Sequence, residues 1–199
     1  TNKVLDSILV IIIILKLIMS RIFIALTPKA EFNKVICELK EDQKKFLIRN
    51  HKVNWSKDNQ HHITINFIGS MEPEQREEMF ADLENRSAFK NLPVEIDSLS
   101  YFPNENGQVL IANITLTPRL QKLFNEVEKV VARIGFGMAL RTFRPHITLA
   151  RFKDKNRPFS QIIELEEPIN SVIEELDVYE SSFKSGKTLH TLIQTYSFE

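Results

Sequence analysis

His62-Ile63-Thr64-Ile65 and His146-Ile147-Thr148-Leu149 are two copies of one short pattern, 84 positions apart, and the architecture of the chain follows from them. Each sets a histidine and a threonine two residues apart within a run of Ile, Leu and Phe that reads as β-strand, where side chains i and i+2 share a face. Each copy therefore presents an imidazole and a hydroxyl together over an apolar back. A titratable ring beside a hydrogen-bond donor is half of an acid–base site, and a chain with two such halves can build one symmetric pocket from them.

Around the motifs, helices and strands mix without strict alternation. After a strand at 21–26, the spacing of Phe32, Val35, Ile36, Leu39, Phe46 and Leu47 predicts an amphipathic helix over about 29–48. A short strand at 53–55 leads into the first motif strand, 62–68, which Gly69-Ser70 ends, and Pro73 opens a helix over about 73–87 with Met79, Phe80 and Leu83 inward. Two strands at 94–102 and 109–116 flank the hairpin signal Asn106-Gly107. Thr117-Pro118 caps the best-defined helix, whose apolar face runs from Leu120 to Ile134 before Gly135 and Gly137 stop it. The second motif strand, 146–150, follows, and strands at 175–183 and 188–198 close the chain as a hairpin around Lys184-Ser185-Gly186-Lys187.

Each His-x-Thr thus comes after a long helix, a weak internal duplication. Mixed strands and helices without strict alternation argue for α+β: two lobes, each with a mostly antiparallel sheet, helices outside and motif strands facing a central cleft.

Composition narrows the chemistry. Hydrophobic residues at 43% and charged residues at 26% are ordinary for a soluble globular protein, and zero formal net charge makes any nucleic-acid contact local. The single Cys37 excludes an internal disulfide, suits a reducing, cytoplasmic setting and reads as a packed thiol. Arg141, Arg144, Arg151, Lys153, Lys155 and Arg157 cluster around the second motif, whereas 164–180 carries seven carboxylates and no Lys or Arg. Beside a catalytic pair that basic cluster is a candidate phosphate site. Residues 8–19 form an apolar run broken only by Lys16, too short for a membrane span of about 20 apolar residues and lacking a cleavage site. Residues 1–18 are accordingly expected to be an extension, with a membrane anchor the lesser alternative, upstream of a single bilobal domain over 19–199.

Two histidines facing one cleft can take a proton from a nucleophile and give one to a leaving oxygen, since histidine's ordinary pKa allows both forms at neutral pH. Thr64 and Thr148 would donate to the non-bridging oxygens of a phosphodiester. Arg144 shares parity with His146; Arg151 has the opposite parity and needs a β-bulge or the strand end to enter the cleft. Phe102 and Phe143 are candidates for stacking on a base, with core packing the equal alternative. His61 points away from His62, and His51 and His190 lack a threonine two residues on, so these three read as structural, surface or lobe-packing residues. No cofactor or metal is expected: adjacent histidines on a strand diverge, and no Cys or carboxylate completes a zinc set with His61, His62 and His146. Without a metal to generate hydroxide, the fitting substrate is an intrinsically reactive ester, a strained 2′,3′-cyclic phosphate.

The segment Phe143-Arg144-Pro145-His146-Ile147-Thr148-Leu149-Ala150-Arg151 resembles the signature of the 2H phosphoesterases, in particular the RNA 2′,3′-cyclic phosphodiesterases historically called 2′-5′ RNA ligases. The resemblance extends to 21–26, to 62–69, to Phe102-Pro103 with Val109-Leu110, and to Tyr179-Glu180-Ser181, covering nearly everything from Met19 onward. It implies a bilobal fold, His62 and His146 as the acid–base pair, Thr64 and Thr148 on the phosphate, and metal-independent hydrolysis of a terminal cyclic phosphate to a 2′-phosphate, with reversible 2′-5′ joining as a side reaction. The partner expected is an RNA end or a small cyclic nucleotide, and a monomer is expected. Gln108 and Ile111 depart from the family, which often has a basic residue and a tryptophan there, and both departures bear on base stacking and substrate preference. The other class compatible with these residues is a module that binds an RNA end or nucleotide without turnover.

Overall fold

The computed structural model describes residues 21–47, 52–85, 90–104, 106–137, 142–153, 162–184 and 187–198. The extension at 1–18, His51, Arg141, Lys155 and Arg157 lie outside the described residues. In chain order the elements are β1 (Arg21–Leu26), α1 (Ala30–Leu47), β2 (Val53–Trp55), a 3-10 turn (Asp58–Gln60), β3 (Ile63–Ser70), α2 (Pro73–Glu84), β4 (Leu92–Phe102) and β5 (Val109–Ile114). There follow α3 (Pro118–Arg133), β6 (His146–Phe152), β7 (Ile163–Ile173), β8 (Glu175–Lys184) and β9 (Lys187–Ser197).

Helix starts follow their local chemistry. Thr117 Oγ1 accepts from the Leu120 amide with Pro118 at the first helical position, and Glu72 caps α2 reciprocally with Gln75. Gly135, with φ 94°, stops α3 in the left-handed conformation that costs glycine nothing. The buried face of α3 is Leu120, Leu123, Val127, Val130 and Val131. It packs toward β3, where buried Asn66 donates to the buried Glu128 carboxylate, while Arg133 ties α3 to Asp82 of α2 at 2.7 and 2.9 Å.

The strands pair in the order β7-β4-β5-β6-β3-β1-β8-β9, all antiparallel, with β2 added on β6. The fold is α+β as expected, but the described strands form one continuous sheet of nine rather than two, its halves meeting at the motif strands through one backbone pair, Ile63 with Ile147. Strand β7 had no counterpart in the sequence reading. Its sequence Ile-Glu-Leu-Glu-Glu-Pro-Ile-Asn-Ser-Val-Ile is acidic and holds Pro168, which falls in the register irregularity between Glu164 and Ile169, where an edge strand tolerates a residue without an amide donor. The Asn106-Gly107 hairpin is longer than a two-residue turn, since β4 ends at Phe102 and β5 begins at Val109. Gly107 lies so close to the Phe102 carbonyl that a Cβ there would fall 1.9 Å from its oxygen.

Candidate active site

Cross-strand partners in an antiparallel ladder share a face, so the registers decide which side chains meet. Between β1 and β3, Ala25 pairs with Thr64 and Ile24 with Asn66, so Ile65 is bulged out of register. Between β5 and β6, Ile111 pairs with Thr148 and Leu110 with Ala150, so Leu149 is bulged at the equivalent place. Each motif therefore carries its bulge one residue after the threonine, and each bulge turns the residue three beyond the threonine onto the motif face. In the first copy that residue is Phe67; in the second it is Arg151. The opposite parity expected for Arg151 is reversed by this bulge, which aligns it with His146 and Thr148.

The antiparallel pair Ile63–Ile147 sets the copies head to tail, His62 toward Thr148 and His146 toward Thr64. Both rings are held the same way. His62 Nδ1–H donates to the Gln60 carbonyl at 2.8 Å, and His146 Nδ1–H donates to the Arg144 carbonyl at 2.7 Å. A carbonyl only accepts, so Nδ1 carries the proton and Nε2 is left as the atom for proton exchange. Burial pushes the His62 imidazole down to about 4, aided by the positive neighbourhood of His190, His146 and Arg151. Burial also lowers His146, with Arg144 and Arg151 adding to the effect. Both imidazoles are thereby neutral at pH 7 until an anion arrives, and the shared contribution of Arg151 places its charge near both.

His61 lies behind the site, as its parity implied. It is 3% exposed; its Nδ1–H donates to Asn33 Oδ1 at 2.8 Å, and Lys40 Nζ approaches its Nε2 at 3.4 Å. Burial, then Lys40, pushes it down to about 4. Lys40, itself buried, also donates to the Ser56 carbonyl at 2.9 Å and to Asp58, so this cluster clamps α1 to the chain entering the first motif. Sequence reasoning missed Lys40, because a lysine on a polar helix face ordinarily reaches water. Cys37, on the same helix, is a half-buried free thiol that burial and Asp58 push up, in keeping with a packed rather than nucleophilic cysteine.

The remaining candidates separate. Phe102 stacks on His146, ring centroids 4.6 Å apart and 27° between planes. Arg144 donates to the Pro103 carbonyl and lies over the Phe102 ring at 5.6 Å, so its guanidinium is engaged in holding the 102–103 turn against His146. For Phe143 the structure favours the core alternative: its ring stacks on Phe124 of α3 at 4.3 Å and packs against the core. His190 is the reverse case. Expected at the surface or between lobes, it stands edge-on to Phe23 at 4.9 Å and to His62 at 5.6 Å. Phe23 also contacts His62 and Tyr179, each at 5.1 Å, and Phe67 at 6.5 Å. These aromatics meet through the β1–β8–β9 registers, and no spacing within any one strand signals it.

Comparison with known proteins agrees with this geometry. A model of the 2′-5′ RNA ligase superfamily matches residues 24–182. An RNA 2′,3′-cyclic phosphodiesterase of Thermotoga maritima is 25% identical over 183 residues, 90% of this chain and 96% of that protein. One of the same name from Aeropyrum pernix is 32% identical over 101 residues, 48% of this chain and 55% of that protein. Among solved structures, TT0787 of Thermus thermophilus superposes with TM-score 0.76 at 20% identity, covering 89% of this chain and 97% of its own. E. coli LigT complexed with 3′-AMP does so with TM-score 0.73 at 22% identity, covering 90% and 98%. At these identities the structural likeness speaks for the fold, and the sequence match speaks for descent. Because the matched segment contains both motif strands, their bulges and the pair that joins them, the chain belongs to the 2′-5′ RNA ligase superfamily.

Proposed function

We propose that this protein hydrolyses the 2′,3′-cyclic phosphate at an RNA end to a 2′-phosphate, with His62 and His146 as the acid–base pair. The observation that carries the reading is the head-to-tail joining of two motifs whose histidines are held in one tautomer by the same carbonyl contact. Relatives named RNA 2′,3′-cyclic phosphodiesterase, one of them similar over nearly its full length, support the same substrate class.

In the proposed reaction the neutral imidazole accepts a proton from water as the water oxygen attacks phosphorus. The P–O3′ bond breaks opposite the attack, and the second histidine, protonated, donates to the departing 3′-oxygen. Thr64 and Thr148 donate to the non-bridging oxygens, and Arg151 balances the charge that builds on them. The anionic phosphate supplies what the free site lacks, because a negative charge beside a depressed imidazole raises its proton affinity. Arg144 and Phe102 hold His146 in place. We further propose a monomer in a reducing, cytoplasmic setting, its domain spanning 19–199. Among the described residues no helix is long and apolar enough to cross a membrane.

The test is turnover of an RNA oligonucleotide bearing a terminal 2′,3′-cyclic phosphate, with the product resolved as 2′- or 3′-phosphate. A 2′-phosphate product supports the reading. Tight binding without turnover makes the protein a binding module, and a 3′-phosphate product reverses the leaving oxygen.

A further inference from the structure

The two halves of the site are built alike and filled differently. On the His146 side the motif face carries Ser98, Ser100 and Asn113, by register with His146 and Thr148, and these polar groups close on one another through bonds of 3.0–3.1 Å. On the His62 side the equivalent face is apolar and open. Phe67, where the second motif has Arg151, is 60% exposed, Leu192 52% and Phe183 74%. Their registers put them on one surface: Phe67 pairs with Phe23, Phe23 with Tyr179, Tyr179 with Leu192, and Phe183 lies two places on from Ser181, opposite Thr188.

Three further features give this surface a chemistry. Phe67 lies nearly parallel to Phe23, with ring centroids 6.5 Å apart and 19° between planes, and stays largely exposed. Arg21 is exposed and pairs with Ser70 and Ser181, which sets a cation on the same face as Phe23, between β3 and β8. His190, opposite Ser181, keeps a buried Nδ1 with no hydrogen-bond partner among the described residues. Two carboxylates of β8 share this face by parity: Asp177 is buried and turned to Thr195 and Tyr179, and Glu175, half-buried, lies at the strand end opposite Ser197. Exposed aromatic and apolar groups interleaved with a cation, and without an exposed carboxylate between them, form the pattern on which unpaired nucleic-acid bases stack while the backbone is neutralised.

We propose that the open face of β3-β1-β8-β9 is a platform for the unpaired nucleotides that precede the reactive end of an RNA strand. Phe67, Leu192 and Phe183 supply the stacking and contact surface, and Arg21 supplies the charge opposite a backbone phosphate. The inference rests on the hydrolytic reading and deepens it: the substrate is a single-stranded polynucleotide rather than a free cyclic mononucleotide. Three strand spacings separate β3 from β9, roughly 14 Å. At roughly 3.4 Å per stacked nucleotide, and more when the bases splay, that accommodates about two to four nucleotides. The surface begins at the His62–Phe23 contact, so a strand whose end sits between the histidines continues onto it without a gap.

The experiment compares kcat/KM for cytidine 2′,3′-cyclic phosphate with that for a hexanucleotide ending in the same group, for the wild type, Phe67→Ala and Leu192→Ser. The hexanucleotide is expected to be favoured at least about ten-fold by the wild type. Each substitution is expected to lower that preference at least about five-fold, through KM. A preference near one, or a preference that both variants retain, overturns the platform while leaving hydrolysis intact. If neither substrate turns over, the hydrolytic reading has failed, and fluorescence anisotropy of a labelled hexanucleotide with a 2′-phosphate end then decides the platform: weaker binding by both variants supports it, and unchanged binding overturns it. A wild-type dimer in gel filtration that Leu192→Ser dissociates also overturns it, because the face is then a contact between protein copies.

Discussion

Ile63 and Ile147 pair across the junction of the two half-sheets, and the antiparallel sense of that pair sets each histidine toward the other motif's threonine. An imidazole and a hydroxyl from different halves thereby address each side of the site. Neither half is complete alone, and the buried isoleucine pair is what keeps both in one register.

The first expectation concerns the acid–base pair. His62→Ala or His146→Ala should each lower turnover of a 2′,3′-cyclic phosphate by at least about 10²-fold, the size of general acid–base effects. The double variant should lose little more than either single one, since groups that act as a unit are not additive. Near-full activity in either folded single variant would falsify the assignment.

The pH profile follows from burial. Both histidines are held below their ordinary value in the free protein, burial being the larger cause and Arg151 a shared one. The kcat/KM optimum, which reports the free enzyme, should therefore lie below pH 6.5, and the kcat optimum should lie higher because bound phosphate stabilises the imidazolium. Arg151→Gln removes a positive neighbour of both rings and should move the kcat/KM optimum toward higher pH while lowering its height. An unmoved or downward-moved optimum counts against a role for Arg151 at the site.

Acid stability has a definite sign. His61 is buried and His62 half-buried, with folded values of about 4, whereas an unfolded chain protonates them near 6.5. Between those limits the unfolded state binds more protons, so the contribution is full above pH 6.5 and is lost as pH falls toward 4. At about 1.4 kcal/mol per unit the two rings together account for a few kcal/mol. Urea melts at pH 7 and pH 4.5 should show a smaller loss in His61→Gln than in the wild type, and an equal or larger loss in the variant would contradict this.

Gly107→Ala tests the support of His146. The new Cβ would meet the Phe102 backbone at 1.9 Å from oxygen and 2.2 Å from carbon, so the strand end carrying Phe102 must shift under His146. A displacement of this kind should cost about 10- to 100-fold in kcat/KM. The protein should still melt cooperatively; if it does and activity is unchanged, the contact between Phe102 and His146 has no catalytic consequence.

Metal independence is the remaining expectation. Turnover should survive exhaustive chelation, since threonine, arginine and imidazole supply the proposed charge stabilisation; loss of activity that a divalent ion restores would refute it.

What was legible without coordinates was local. Helix bounds near Ala30–Leu47 and Pro118–Arg133, most strand positions, the burial of His61 away from His62, and the two His-x-Thr faces all follow from periodicity and capping within a single segment. The bulges at Ile65 and Leu149 were not legible, because a bulge is a property of two paired strands; with the second one went the true face of Arg151. The edge strand β7, the burial of Lys40 over His61, the packing of Phe143 on Phe124 and the contact of His190 with His62 depend likewise on residues tens of positions away. Local pattern thus specifies which groups carry the chemistry and on which elements they lie. Which of them meet is settled by folding alone, because side-chain neighbours across a sheet are set by long-range register, and a shift of one residue in that register sends a side chain to the other face.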